Sequence, residues 1–110
     1  MVTPVSALPS RPTYWCEATA QPTTGGNTCW LGSYMARSPR LALRWFTCRV
    51  RDVTDQLDPH YAAPGRHWLT NDAEHERART FLAEGEMYTL TLHDDTTRYV
   101  LSARPTGTTR

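Results

Sequence analysis

Two residue types are missing from this 110-residue chain, which contains no lysine and no isoleucine. All 12 basic residues are therefore arginine, and against 11 acidic residues they leave a formal net charge of only +1. This near-neutral balance excludes a field over the whole protein that would capture nucleic acid or a membrane, but it does not exclude a local basic patch. The composition is typical of a GC-rich bacterial or phage genome, so the arginine content alone is weak evidence for phosphate recognition.

Long apolar runs are absent as well. No run of apolar residues exceeds three, which excludes a membrane-spanning segment, and the first ten residues have neither the basic nor the apolar region of a secretion signal. The cysteines Cys16, Cys29 and Cys48 are an odd set without CxxC spacing, which argues against a disulfide framework and a structural zinc site. We therefore expect a cytoplasmic protein with buried free thiols.

The residues that are present indicate one ordered domain. Apolar residues make up 39% and charged residues 21% of the chain, both low for a globular protein, but four tryptophans and five tyrosines add apolar volume. We predict a single β-rich domain over residues 12–104. A flexible N-terminal tail, 1–11, and a flexible C-terminal tail, 105–110, are expected on either side of it.

The pattern of apolar and turn residues predicts five strands and one helix. The strands are expected at 12–18, 28–35, 40–51, 86–93 and 98–104. The helix is expected to begin after the N-cap Asn71 and to end at Gly85, and 51–69 is expected to be an irregular connection. The order β-β-β-α-β-β resembles the OB-fold, a small antiparallel barrel. An SH3-like barrel and an open antiparallel sheet crossed by one helix are the alternatives.

The last predicted hairpin has the clearest pattern. A turn at Asp95–Thr96 would pair Tyr88 with Ala103 and Leu90 with Leu101 on a core face. The opposite, solvated face would present polar side chains that suit a phosphate or an acidic partner, namely Thr89, Thr91, His93, Arg98, Ser102 and Arg104.

The tryptophans suggest a second feature. A turn at Pro22–Thr23 would place Trp15 opposite Trp30, and the next hairpin would place Trp45 beside Trp30. Such a row across three strands is either the core of a chain that is short of aliphatic residues or, with arginines nearby, a stacking platform for single-stranded nucleic acid.

No motif in the chain indicates catalysis, a metal or a cofactor. The spacings HExxH and HxH are absent, and Cys48 lies in the middle of a predicted strand on an apolar side. We therefore predict a non-enzymatic protein-interaction or regulatory accessory module that uses the outer hairpin face and the 51–69 connection, with another protein as its partner. A single-strand nucleic-acid-binding OB-like domain is the alternative, and a small enzyme using the loop histidines is a third hypothesis. The predicted binding residues are Arg44, Arg49, Arg51, Trp68, His93, Arg98 and Arg104.

Overall fold

The fold is an open antiparallel sheet with helices packed on one of its faces. The computed structural model describes residues 12–106. Along the chain the elements are β1 (Tyr14–Pro22), β2 (Cys29–Ala36), α1 (Pro39–Gln56), α2 (Pro59–Leu69), α3 (Asp72–Ala83), β3 (Tyr88–His93) and β4 (Thr97–Pro105). The spatial order of the strands is β2-β1-β4-β3. Because β1 pairs with β4, the first and last strands form the centre of the sheet, while β2 and β3 are its edges.

The predicted five-stranded barrel is wrong. The segment expected as the third strand, 40–51, belongs to α1, and the described residues contain four strands, whose sheet does not close. The irregular connection expected at 51–69 is also wrong, because it consists of the end of α1 and the whole of α2. The predicted tail 1–11 lies outside the described residues, and so does the part 107–110 of the predicted tail 105–110, whereas Pro105 belongs to β4.

The α1 segment is helical for two local reasons. Ser38 is an N-cap whose hydroxyl oxygen accepts the backbone N–H of Leu41 at 3.1 Å. Pro39, which follows it, lacks a backbone N–H, but an N–H at the first helical position would have no partner within the helix. The buried residues then recur at intervals of three or four, which places them on one side of a helix; they are Ala42, Leu43, Phe46, Val50 and Thr54. Apolar residues change side after Trp45 when 40–51 is read as a strand, and the helical period accounts for this change.

The face of the sheet that packs against the helices is built from rows of paired residues. One row runs across all four strands as Tyr88, Ala103, Cys16 and Tyr34. Small side chains in the two central strands, such as Ala18 and Ala103, let the helices approach the sheet closely. The predicted register of the last hairpin is confirmed, since Tyr88 faces Ala103 and Leu90 faces Leu101.

The predicted tryptophan row is wrong. Trp15 faces Met35, Trp30 faces Thr19, and Trp45 lies in α1. The turn between β1 and β2 spans more residues than expected, which shifts the pairing of the whole hairpin. A further register shift between Ala18 and Thr19 marks a bulge.

The predicted start and end of the third helix are confirmed. The Asn71 side chain accepts the backbone N–H of Glu74 at 3.1 Å, and Gly85 adopts a φ of 88° just after the helix. The Glu74 carboxylate, however, does not complete a capping box, because the Asn71 N–H donates to the Trp68 carbonyl. This leaves the Glu74 carboxylate available for a different set of donors.

Those donors form a network that joins α2, β3 and α3. The Trp68 indole N–H donates to the Tyr88 hydroxyl at 2.9 Å, and that hydroxyl donates to Glu74 Oε2 at 2.6 Å. Arg77 donates to the same carboxylate. The hydrogen bonds from Arg77 and Tyr88 lower the pKa of Glu74. Burial, followed by the bond to Glu74, raises the pKa of Tyr88 to about 12.

Replacing Tyr88 with Phe should lower the free energy of unfolding by about 1–3 kcal/mol, because the buried Trp68 N–H loses its acceptor and Glu74 loses a donor. Since the pKa of Glu74 is depressed in the folded state, its contribution is present above the ordinary value of 4.5 and is lost as the pH falls through the folded value. Urea unfolding of both proteins at neutral and acid pH should therefore show a difference that shrinks in acid. A difference independent of pH would contradict this role of Glu74.

The crossing of α1 and α2 requires a glycine. A Cβ atom at Gly65 would overlap the hydroxyl oxygen of Thr54 on α1 and touch Leu92 on β3. The Thr54 hydroxyl is buried and has no hydrogen-bond partner among the described residues. Thr54 therefore fills space at this crossing without contributing a hydrogen bond.

Replacing Gly65 with Ala should destabilise the protein by about 1–3 kcal/mol through overpacking. The change Thr54→Ala removes the overlapping oxygen, so the double variant should recover most of the loss. Thermal or urea unfolding of the two single variants and the double variant gives the coupling free energy. Purely additive losses would show that the two side chains do not compete for the same space.

Candidate binding surface

The edge strand β2 exposes most of the large apolar side chains that the described residues leave in solvent. Their exposed fractions are 55% for Trp30, 39% for Leu31, 40% for Tyr34 and 45% for Met35. Only one other large apolar residue of the described chain, Met87, is comparably exposed. We call these four residues of β2 the β2 surface.

The β2 surface is apolar on both faces of the sheet. Tyr34 pairs with the buried Cys16 and borders a cavity beside α1, and Leu31 also borders a cavity on the helix side. Met35 pairs with Trp15 and Trp30 pairs with Thr19 on the opposite face. A strand that is apolar on both sides is typical of the interior of a sheet rather than its edge.

The other edge strand provides the contrast. Along β3 the buried or half-buried Tyr88, Leu90 and Leu92 alternate with the exposed Thr89, Thr91 and His93, as expected for a sheet with one solvated face. By comparison, β2 has neither a charged residue nor a proline, the side chains that usually keep an edge strand from pairing with another chain.

A groove separates the β2 surface from α1. One cavity, of about 410 Å³, is bordered by Leu31, Val53 and Tyr99. The next, of about 390 Å³, is bordered by Tyr34, Trp45 and other residues of α1. α1 contacts the two central strands and, less extensively, β2, so the side chains of this edge strand are only partly covered.

Arg49 lies between these two cavities and borders both of them. Its guanidinium pairs with Asp52 at 2.6 Å and lies 5.9 Å from the centre of the Trp45 ring. Its Nε atom is buried and has no hydrogen-bond partner among the described residues. An added main chain in the groove could supply a carbonyl oxygen to this N–H.

One end of the groove is positively charged. Arg44 borders the second cavity, and Arg37 follows directly after β2. Within residues 12–106 neither forms an ion pair. At the other end the acidic side chains are neutralised, since Asp52 pairs with Arg49 and Asp55 pairs with Arg66.

The structure brings together some of the residues predicted for binding. Arg44 and Arg49 border one cavity, and Arg51 is exposed on the same helix. Trp68 is buried in the core, with 4% of its surface exposed. The remaining predicted residues, His93, Arg98 and Arg104, lie on the sheet face away from the helices, where His93 pairs with Arg98.

Reasoning from sequence missed the apolar residues of β2. The available signal was a strand without charge whose large apolar side chains fall at both odd and even positions. The predicted pairing of Trp15 with Trp30 hid this signal, because it assigned Trp30 to a row in the middle of the sheet.

Comparison with protein-family models, curated proteins and solved structures found no match to this chain. None of the helices between residues 12 and 106 has the length and apolar character needed to cross a membrane. In the same range, no three side chains of the types His, Cys, Asp or Glu are grouped as metal ligands.

The three cysteines differ in their surroundings. Cys16 is buried in the core, and burial raises the pKa of its thiol to about 11. Cys29 and Cys48 are exposed, so the expectation of three buried thiols is wrong for these two. Cys48 borders the groove, so its thiol can report on anything that occupies the groove.

Titration of the folded protein with a thiol reagent should therefore modify Cys29 and Cys48 rapidly, and Cys16 only after unfolding. The variants Cys29→Ser and Cys48→Ser should each remove one fast-reacting thiol, which assigns the signals. Rapid reaction of all three thiols in the native protein would contradict the placement of Cys16 in the core.

Proposed function

We propose that this chain is a non-enzymatic protein-interaction module, in which β2 pairs with an extended segment of a partner protein. The observation that supports this proposal best is the apolar character of an edge strand on both of its faces. Addition of a strand would give main-chain hydrogen bonds along β2 and would cover Trp30, Leu31, Tyr34 and Met35 from the side.

The energy of this contact sets a requirement on the partner. Complete burial of a large apolar side chain is worth about 1.5–3 kcal/mol, and those of β2 are already about half buried, so together they supply about 3–6 kcal/mol. Association costs about 4–15 kcal/mol. The apolar contacts therefore need support from main-chain hydrogen bonds and from complementary charge.

The charge at the groove defines the chemistry of the partner. Arg37 and Arg44 lack acidic partners within the described residues, so an acidic residue next to the added strand would complement them. A second copy of this chain would bring the uncharged β2 to the same place and would leave both arginines unpaired. We therefore propose a partner segment that is extended, apolar and acidic at one end.

The nucleic-acid-binding and enzyme hypotheses depended on structural elements that the described residues do not form. The barrel and the tryptophan row, which suggested a platform for single-stranded nucleic acid, are not part of this fold. The irregular connection that was to provide the histidines of an enzyme contains helix α2, which places His60 and His67 in its first and last turns.

A matched pair of methionine variants tests the proposed surface. Met35→Lys places a charge on β2, whereas Met87→Lys makes the same change at a similarly exposed site outside it. The probe is a fluorescent eight-residue peptide of valine, isoleucine and tyrosine ending in two glutamates. Met35→Lys should weaken its binding at least about tenfold, because a charged edge strand resists pairing, while Met87→Lys should leave binding unchanged.

A second peptide, ending in two lysines, tests the role of charge. It should bind more weakly than the glutamate peptide at low salt, and the difference should shrink as salt screens the arginines. Binding of the glutamate peptide weaker than about 1 mM, or equal losses in both methionine variants, would overturn the proposal. Self-association that Met35→Lys abolishes would assign β2 to a second copy instead.

A further inference from the structure

We propose that a separate cavity, between α1 and α3, binds a phosphate monoester. This cavity has a volume of about 330 Å³, near the lower end of the range for small-molecule sites. Three arginines border it, Arg40 and Arg44 from α1 and Arg79 from α3. Leu43, Thr47 and His75 complete the lining.

The cavity brings together three positively charged side chains, which repel one another in the absence of an anion. Arg40 and Arg44 are one helical turn apart and point to the same side of α1. Neither forms an ion pair within residues 12–106. Arg79 pairs with Glu76, which borders the adjoining cavity rather than this one. Three guanidinium groups against one carboxylate leave an excess of two positive charges for an anion to neutralise.

The surroundings of the arginines also favour an anion. Arg40 lies in the first turn of α1, where the helix dipole is positive. The Nε2 atom of His75 lies 2.8 Å from the Trp68 carbonyl oxygen, and its ring is held against the Trp68 indole. Because a carbonyl only accepts, Nε2 is the donor in this contact, which fixes the ring as one wall of the cavity.

A phosphate monoester fits this set of donors better than a carboxylate does. Its terminal oxygens carry up to two negative charges, which match the excess charge, and guanidinium groups bind them through paired, charge-assisted hydrogen bonds. Donors that converge on one small cavity from two helices suit a terminal phosphate rather than a continuous phosphodiester backbone.

The site is separable from the β2 surface. Arg40 and Arg79 border neither of the two cavities beside β2, and Arg44 is the residue that both places share. A double variant of Arg40 and Arg79 therefore removes most of the phosphate site and leaves the groove intact.

Titration with O-phosphoserine, followed by NMR of the backbone amides, tests the proposal. Serine at equal ionic strength is the control ligand. O-phosphoserine should shift amides of α1 and α3 around the cavity, and serine should not. The double variant Arg40→Gln/Arg79→Gln should weaken binding at least about tenfold, since two charge-assisted contacts are lost. The matched pair Arg98→Gln/Arg104→Gln, on the opposite sheet face, should bind like the wild type.

Three results would overturn the proposal. One is an equal loss of affinity in the two double variants, which would indicate attraction by net charge alone. Another is the absence of amide shifts at α1 and α3 with O-phosphoserine. The third is binding of a ten-nucleotide oligothymidylate with the same affinity whether or not it has a 5′-phosphate, which would assign the arginines to a phosphodiester backbone.

Unchanged binding of the glutamate peptide by Arg40→Gln/Arg79→Gln would show that the two sites are independent.

Discussion

The packing of α1 against the two central strands is the contact on which the other features depend. Its buried residues, Leu43, Phe46 and Val50, meet a sheet face in which Cys16, Ala18 and Ala103 are small. With small side chains in the middle of the sheet, α1 packs closely on β1 and β4, and it also contacts the edge strand β2. The groove beside β2 and the cavity beside α3 are the two spaces that this position leaves on either side of the helix.

The same helix has a different chemical character on each of its sides. Toward β2 it presents Trp45, Cys48 and Arg49, whose charge is paired with Asp52, and Arg44 adds an unpaired charge at one end of this mostly apolar wall. Toward α3 it presents Arg40, Arg44 and Thr47, which form a basic wall. An amphipathic helix normally has one buried and one solvated side. Here the solvated side is itself divided into an apolar and a basic strip.

Local signals in the sequence were sufficient for α3 and the last hairpin. The alternation on both sides of Asp95–Thr96 predicted the register of the last hairpin, and Asn71 with Gly85 predicted the bounds of α3. The register is well determined there because the turn is short and one face is clearly apolar. The Asp94 carboxylate also accepts hydrogen bonds from the backbone N–H groups of Thr96 and Thr97. These bonds fix the position of the turn and lower the pKa of Asp94.

The sequence prediction failed at 40–51, where the spacing of apolar residues fits both a strand and a helix. Leu41, Leu43 and Trp45 alternate along the sequence as they would in a strand. The contacts that Phe46 and Val50 make in the core nevertheless stabilise a helix. The capping pair Ser38–Pro39 was the local evidence for that helix. The apolar character of β2 was visible in the sequence, but its position at an edge of the sheet could not be predicted. That outcome follows from the pairing of β1 with β4 over a long sequence distance, and no local pattern records it.

The pairing of the first strand with the last has a consequence for the ends of the domain. Tyr14 lies opposite Pro105, and the backbone N–H of Thr106 donates to the carbonyl oxygen of Thr13 at 2.9 Å. Both ends of the described chain thus leave the sheet side by side, at the same end of its two central strands. A host protein could accept this unit within a surface loop with little distortion, since the two junctions would span only a strand spacing of about 5 Å.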